Sequence, residues 1–176
     1  MSGIRFTDGI NNNPTMEIGG LTTVVPGGQY DAYAASGNTA GCRPVFTAAA
    51  TLTANDSGAL CIFNLAAGFT YTLPAAQKGL HFKFIVQTTA TSVVHRVACA
   101  TGDFFLGSIL QSTDGTFVTA PHDANGTTHL AWEGDGSTTG GIKGDWLEVT
   151  GISSTQWAVS GYNQATGTEA TPWKTS

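Results

Sequence analysis

Charge is what this sequence has least of. Only 11% of its 176 residues are Asp, Glu, Lys or Arg, less than half the usual quarter for a globular domain. Seven Lys and Arg stand against twelve Asp and Glu, a formal net charge of −5. The basic residues form no run, which argues against a nucleic-acid partner. No apolar stretch approaches the ~20 residues of a helical membrane span, so no membrane partner is expected. The opening Met-Ser-Gly-Ile-Arg-Phe-Thr-Asp-Gly lacks the apolar core of a secretory signal, and we expect a protein made and used without one. Cysteine is scarce. Cys42, Cys61 and Cys99 are odd in number, widely spaced and without a Cys-x-x-Cys pair. We read them as reduced small hydrophobes, with one disulfide as the alternative. Helix formers are also few, and no segment keeps the i, i+3, i+4 pattern beyond one turn. No internal repeat of fixed period is visible.

What the chain does have is glycine, 23 residues of it, with abundant Thr and Ala and many short alternating segments. Such a chain favours short strands and many turns. The clearest segment is Phe69 to Gln87. Phe69, Tyr71 and Leu73 share one face of a first strand. Leu80, Phe82, Phe84 and Val86 share one face of a second, with His81, Lys83 and Gln87 opposite. This period of two marks half-buried strands. Pro74 ends the first strand and Gly79 precedes the second. These apolar positions predict the central seam of the core. Further strands are expected at Thr51–Thr53, Leu60–Leu65, Ser92–Cys99, Phe104–Leu110, Phe117–Ala120 and Thr127–Trp132. Gly144–Val149 and Gln156–Gly161 form a closing hairpin, with Trp146, Glu148 and Thr150 on one face and Leu147 and Val149 on the other. The pattern predicts an all-β protein, an antiparallel barrel or jelly-roll-like sandwich over residues 46–163.

The flanks differ. Residues 1–45 carry Asn-Pro, Gly-Gly and Pro-Gly-Gly turn signals and sparse large apolar residues. Burying so few side chains does not offset the entropy of ordering the segment. An extended arm that borrows order from a partner is therefore expected. Ile4, Phe6, Ile10, Met16, Ile18, Leu21, Val24 and Val25 are its candidate contact residues. Residues 164–176 read as a polar tail, where Trp173 has nothing local to pack on and is a further candidate anchor to a neighbour.

Catalysis finds little support. His122, Asp123, His129 and Glu133 fit no helical metal-ligand pair and are read as solvated loop polars. Asp123-Ala-Asn-Gly126 lacks the third oxygen ligand and the distal Glu of a calcium loop. No Gly-x-Ser-x-Gly turn exists in a strand-to-helix setting. Asp145 and Glu148 sit on opposite faces or near a turn, not across a groove. Trp132, Trp146, Trp157 and Trp173 could form a sugar platform, but all except Trp173 are read as core. We expect no enzyme activity, no cofactor and no metal.

The run Thr51-Leu-Thr, Asp56-Ser-Gly, Phe63, Gly68, Thr72-Leu-Pro and Gly79-Leu-His-Phe-Lys-Phe84, followed by Gly144-Asp-Trp-Leu-Glu-Val149 and Trp157-Ala-Val-Ser-Gly161, resembles head decoration (cement) proteins of tailed bacteriophages. Similar runs occur in phage tail-fibre modules. The resemblance covers about residues 47–163. It implies a small β-barrel or jelly-roll-like domain that forms homotrimers and binds the major capsid protein on the outside of an assembled head, stabilising it by clamping neighbouring capsomers. Such a protein would be made in the host cytoplasm and reside on the virion surface. The alternative is a tail-fibre or receptor-binding module that engages glycans, which would need exposed aromatics beside carboxylates or amides.

Overall fold

The computed structural model describes residues 44–113 and 119–175 in full, together with the backbone of three strands nearer the N-terminus. The chain divides into two units, Met1–Arg43 and Pro44–Ser176. In the first, β1 (Arg5–Asp8), β2 (Pro14–Ile18) and β3 (Leu21–Val24) form an antiparallel sheet in the order β1-β2-β3. Its register sets Phe6 opposite Met16 and Ile18 opposite Leu21. The expected contact residues Ile4, Ile10 and Val25, like Cys42, lie outside the described residues.

The second unit is all-β. Its strands are β4 (Val45–Phe46), β5 (Ala50–Thr51), β6 (Leu60–Phe63), β7 (Thr70–Thr72), β8 (His81–Val86), β9 (His95–Ala98), β10 (Phe104–Ser112), β11 (Thr119–Asn125), β12 (Ala131–Gly134), β13 (Trp146–Gly151), β14 (Gln156–Gln164) and β15 (Trp173–Lys174). They form two mixed sheets, one of seven strands in the order β11-β10-β14-β13-β8-β6-β4 and one of five in the order β15-β12-β9-β7-β5.

From β4 to β9 the chain alternates between these sheets. Strands β4, β6 and β8 run parallel in one, and β5, β7 and β9 run parallel in the other. The result is a three-turn coil with one strand per sheet in each turn. Parallel neighbours need a crossover, and here each crossover is itself a strand of the opposite sheet. The rest of the chain completes both sheets, largely with antiparallel strands. β13 inserts antiparallel between β8 and β14, and β12 joins β9 to β15.

This corrects the expected antiparallel barrel or jelly roll. Five of the ten strand pairs described in residues 44–176 are parallel, whereas a jelly roll is built of antiparallel strands. The seven-stranded sheet also stays open. Its edges are β11 and β4, and β4 offers only two residues to a closing ladder.

The expected core seam is present but shared between sheets. Tyr71 and Leu73 enter from the five-stranded sheet side, Phe82, Phe84 and Val86 from the seven-stranded one, and all five are buried. Phe69 and Leu80 pack partly buried against them. Phe63 lies at the centre, its ring 5.0 Å from Tyr71, 4.6 Å from His95 and 6.2 Å from Trp132. Two glycines permit close backbone approaches. At Gly136 (φ +80°) a Cβ would lie 1.9 Å from Ala90 O, and at Gly107 (φ +138°) 2.3 Å from Val159 O. Cys61 is buried, Cys99 half-buried, and both are free thiols.

Trp173 is a second correction. The stretch after Gln164 returns to the five-stranded sheet as β15, with Trp173 partnered to Trp132. Its indole is 3% exposed, its Nε1 donates to His122 O (2.9 Å), and its ring lies 5.6 Å from that of Phe105. Packing partners some forty to seventy residues away in sequence bury a side chain that has none nearby.

Phe63 packs rings from both sheets, so Phe63→Ala should lower unfolding free energy by ~3–5 kcal/mol. Leu65→Ala, at a position 53% exposed, should change it by no more than ~0.5 kcal/mol. Urea denaturation followed by tryptophan fluorescence would measure both.

Candidate functional site

Alternation along a strand sends every second residue to the solvent side of the seven-stranded sheet. The register then lines these residues into rows across strands. One row is apolar throughout. Ile62 is partnered to Ile85, Ile85 to Trp146, Trp146 to Tyr162, Tyr162 to Leu110, and Leu110 to Pro121. It crosses six adjacent strands. Ile62, Ile85, Trp146 and Tyr162 are half-buried, Pro121 is exposed, and Leu110 is 50% exposed.

The next row is mostly polar. Its order is Leu60, Lys83, Glu148, Ser160, Ser108 and Asp123. Lys83 Nζ pairs with Glu148 Oε1 at 3.0 Å and lies 5.2 Å from the Trp146 ring centroid. Both charged side chains are about one-third exposed, so the ion pair contributes little stability. It does hold the ammonium over the face of the Trp146 ring. Tyr162 Oη lies 2.6 Å from Ser112 Oγ, which fixes the phenol at the other side of the row. The face therefore presents anchored aromatic and aliphatic side chains bordered by hydroxyls, one ammonium and two carboxylates. That chemistry suits recognition of a surface. Trp146 thereby departs from its expected core position, whereas Trp132 and Trp157 are buried.

Most of the polar residues weighed as possible ligands are otherwise engaged, while His122 Nε2 is buried and meets no described protein partner. Glu133 pairs with Arg96. His129 Nδ1 accepts from Asn125 N (3.1 Å), and its ring stacks 6.2 Å from Trp173. Asn125 Oδ1 accepts from the backbone N–H groups of Thr127 and Thr128, so Asp123–Gly126 leads into an Asx turn. Asp145 is buried and accepts from Ile142 N and Gln164 N, while Glu148 lies on the outer face. Among the described residues no group of three or more His, Cys, Asp or Glu could hold a metal ion.

The fold and this face define an all-β protein of two mixed sheets that displays a cross-strand apolar row. Comparison with protein-family models, with curated proteins and with solved structures finds no match.

Two buried titratable groups set opposite pH trends. Burial raises the Asp145 carboxyl to about 6, against the pull of its backbone donors. Burial lowers the His95 imidazole, against the pull of its hydrogen bond to Thr88 O. A raised carboxyl pKa means that the folded state binds the proton more tightly. Its stabilising share is full below the ordinary carboxylate range and is lost as pH rises through about 6. His95 acts the other way: stability is lost as pH falls below the ordinary imidazole range. Replacing Asp145→Asn should remove a decline of ~3 kcal/mol between about pH 4 and pH 7. Urea midpoints of the two proteins across that range would show it as a narrowing gap.

Proposed function

We propose that this protein is a virion structural protein, a decoration or cement protein that binds the outside of an assembled tailed-bacteriophage capsid and clamps neighbouring capsomers. The observation that carries this reading is the apolar row on the outer face of the seven-stranded sheet. Interfaces are built around aromatic and aliphatic anchors ringed by polar groups, and Trp146 and Tyr162 stand mid-row with Lys83, Glu148 and Ser160 beside them. The resemblance to phage head proteins adds to it, since the Gly144–Val149 and Trp157–Gly161 runs supply the strands that hold both aromatics.

In this reading the occupant of the row is the major capsid protein. Binding only the assembled, expanded shell stabilises that state by mass action. Residues 1–43 act as an arm, with Phe6, Met16, Ile18, Leu21 and Val24 on its strands as contact residues along with Ile4, Ile10 and Val25. Adding a strand to a capsid sheet edge is its proposed mode. Association into homotrimers would engage three arms at once and raise avidity. The protein is made in the host cytoplasm, resides on the capsid's outer surface, and works without cofactor or catalysis.

A second reading is favoured by Trp146 alone, a half-buried indole beside Glu148 and Lys83. Such a set could stack and hydrogen-bond a sugar ring, as a receptor-binding tail module would.

The test is co-sedimentation with expanded phage shells that lack the protein. Wild-type protein should bind and raise the temperature of shell disruption. Removal of residues 1–43, or the double substitution Ile85→Ser and Trp146→Ser, should weaken binding at least tenfold (more than ~1.4 kcal/mol) while circular dichroism still reports a folded β-protein. Full binding by a folded variant would sink the role of the part removed. Binding to a glycan array lost in Trp146→Ala, with no affinity for shells, would establish the second reading instead.

A further inference from the structure

One residue beyond Tyr162 and Leu110, on the inner side of the same strands, two amides meet. Asn163 and Gln111 occupy partnered positions of β14 and β10, and both are fully buried. Gln111 Nε2 donates to Thr138 O (3.1 Å) and Ala170 O (3.3 Å). Asn163 Nδ2 donates to Thr139 O (3.1 Å). All three acceptors are backbone carbonyls, which fixes the amide orientations; turning either amide over would set oxygen against oxygen. The side-chain oxygens Gln111 Oε1 and Asn163 Oδ1 are then buried, and no described protein donor reaches either one.

Buried acceptors are nearly always met by a donor. The backbone leaves little room for a protein group to shift in: a Cβ at Gly140 would lie 2.6 Å from the Asn163 amide. Asp145 precedes Trp146, the partner of Tyr162, and so stands next in the row beyond Asn163. Its two oxygens already accept from Ile142 N (3.0 Å) and Gln164 N (2.9 Å).

We infer that one ordered water molecule is bound between Gln111 and Asn163, donating one hydrogen to Gln111 Oε1 and the other to Asn163 Oδ1. Water carries two O–H donors, and the site offers two neutral acceptors in adjacent register, within the two-to-four partners that interior waters make. A hard cation fits less well. Calcium asks for six to eight oxygens, with carboxylates among them, and the neighbouring carboxylate is engaged by backbone N–H groups. The water completes a polar layer that fastens the 138–139 loop and the Ala170 segment to the sheet.

A high-resolution crystal structure of the full chain should show one density peak about 2.6–3.2 Å from both oxygens. In solution, the Gln111 and Asn163 side-chain amide protons of ¹⁵N-labelled protein should show slow-tumbling cross-relaxation with water. Absence of the peak, or cross-relaxation at the bulk-water rate, would overturn the inference. So would a peak with six or more oxygen neighbours at cation distances, or an anomalous signal there after rubidium soaking.

Discussion

The two sheets are held together where the Phe63 ring meets aromatic rings from both of them. Phe84 reaches it from its own sheet; Tyr71, His95 and Trp132 reach it from the opposite one. Tilted and edge-on ring pairs of this kind are worth ~0.5–1.5 kcal/mol each beyond the area they bury. The coil of β4 to β9 is what makes the meeting geometrically possible. Each half-turn carries the chain from one sheet to the other, so consecutive strands face each other across the core instead of lying side by side. Tyr71 and Phe84, thirteen positions apart in the chain, thus stand ring to ring at 5.6 Å. His95 belongs to the same cluster. Its Nε2 donates to Thr88 O at 2.7 Å, and the surrounding rings favour the neutral imidazole, because a charge there would be stripped of water.

Once the inner faces are committed to this core, alternation determines what the outer faces carry. An inward Phe84 makes Ile85 outward, and an inward Leu147 makes Trp146 outward. Directly behind the apolar row lies the polar layer of Asp145, Asn163 and Gln111, each adjacent in sequence to a member of that row. Their hydrogen bonds to the 138–142 loop, Gln164 and Ala170 restrain β10, β14 and the start of β13. The same strands therefore hold a fixed polar anchor on one side and an apolar display on the other.

Much of this is legible in the sequence. The alternation in β8 separates its buried and exposed faces correctly, that in β13 separates the two faces but does not show which one holds Trp146 outside the core, and the closing hairpin of β13 and β14 has the expected antiparallel pairing. Strand direction was not legible. A period of two says which way side chains point but nothing about the neighbour's polarity, so parallel and antiparallel pairs read alike. The burial of Trp173 escapes a local reading for a similar reason: its packing partners, Trp132 and Phe105, are distant in sequence. The outer row left a faint signal in Ile85, an apolar residue on the face of β8 that also carries His81 and Lys83. Its significance depends on cross-strand register, which no single strand encodes.

The outer row is therefore hard to explain by folding alone. Its members come from six strands spread between residues 62 and 121 and between 146 and 162, and they align only after the coil and the later insertions set the register. On a solvent face, Thr, Lys or Glu would serve the sheet as well and keep the surface wetter. Scattered exposed apolar residues need no account, but a contiguous row is the pattern that marks interaction surfaces. Lys83 covers part of Trp146, which lowers the cost of exposing the indole while leaving the ammonium free to withdraw when another surface arrives. The proposed capsid contact would remove that row from water, and the strands beneath it, fastened by buried amides, would lose little further freedom on binding.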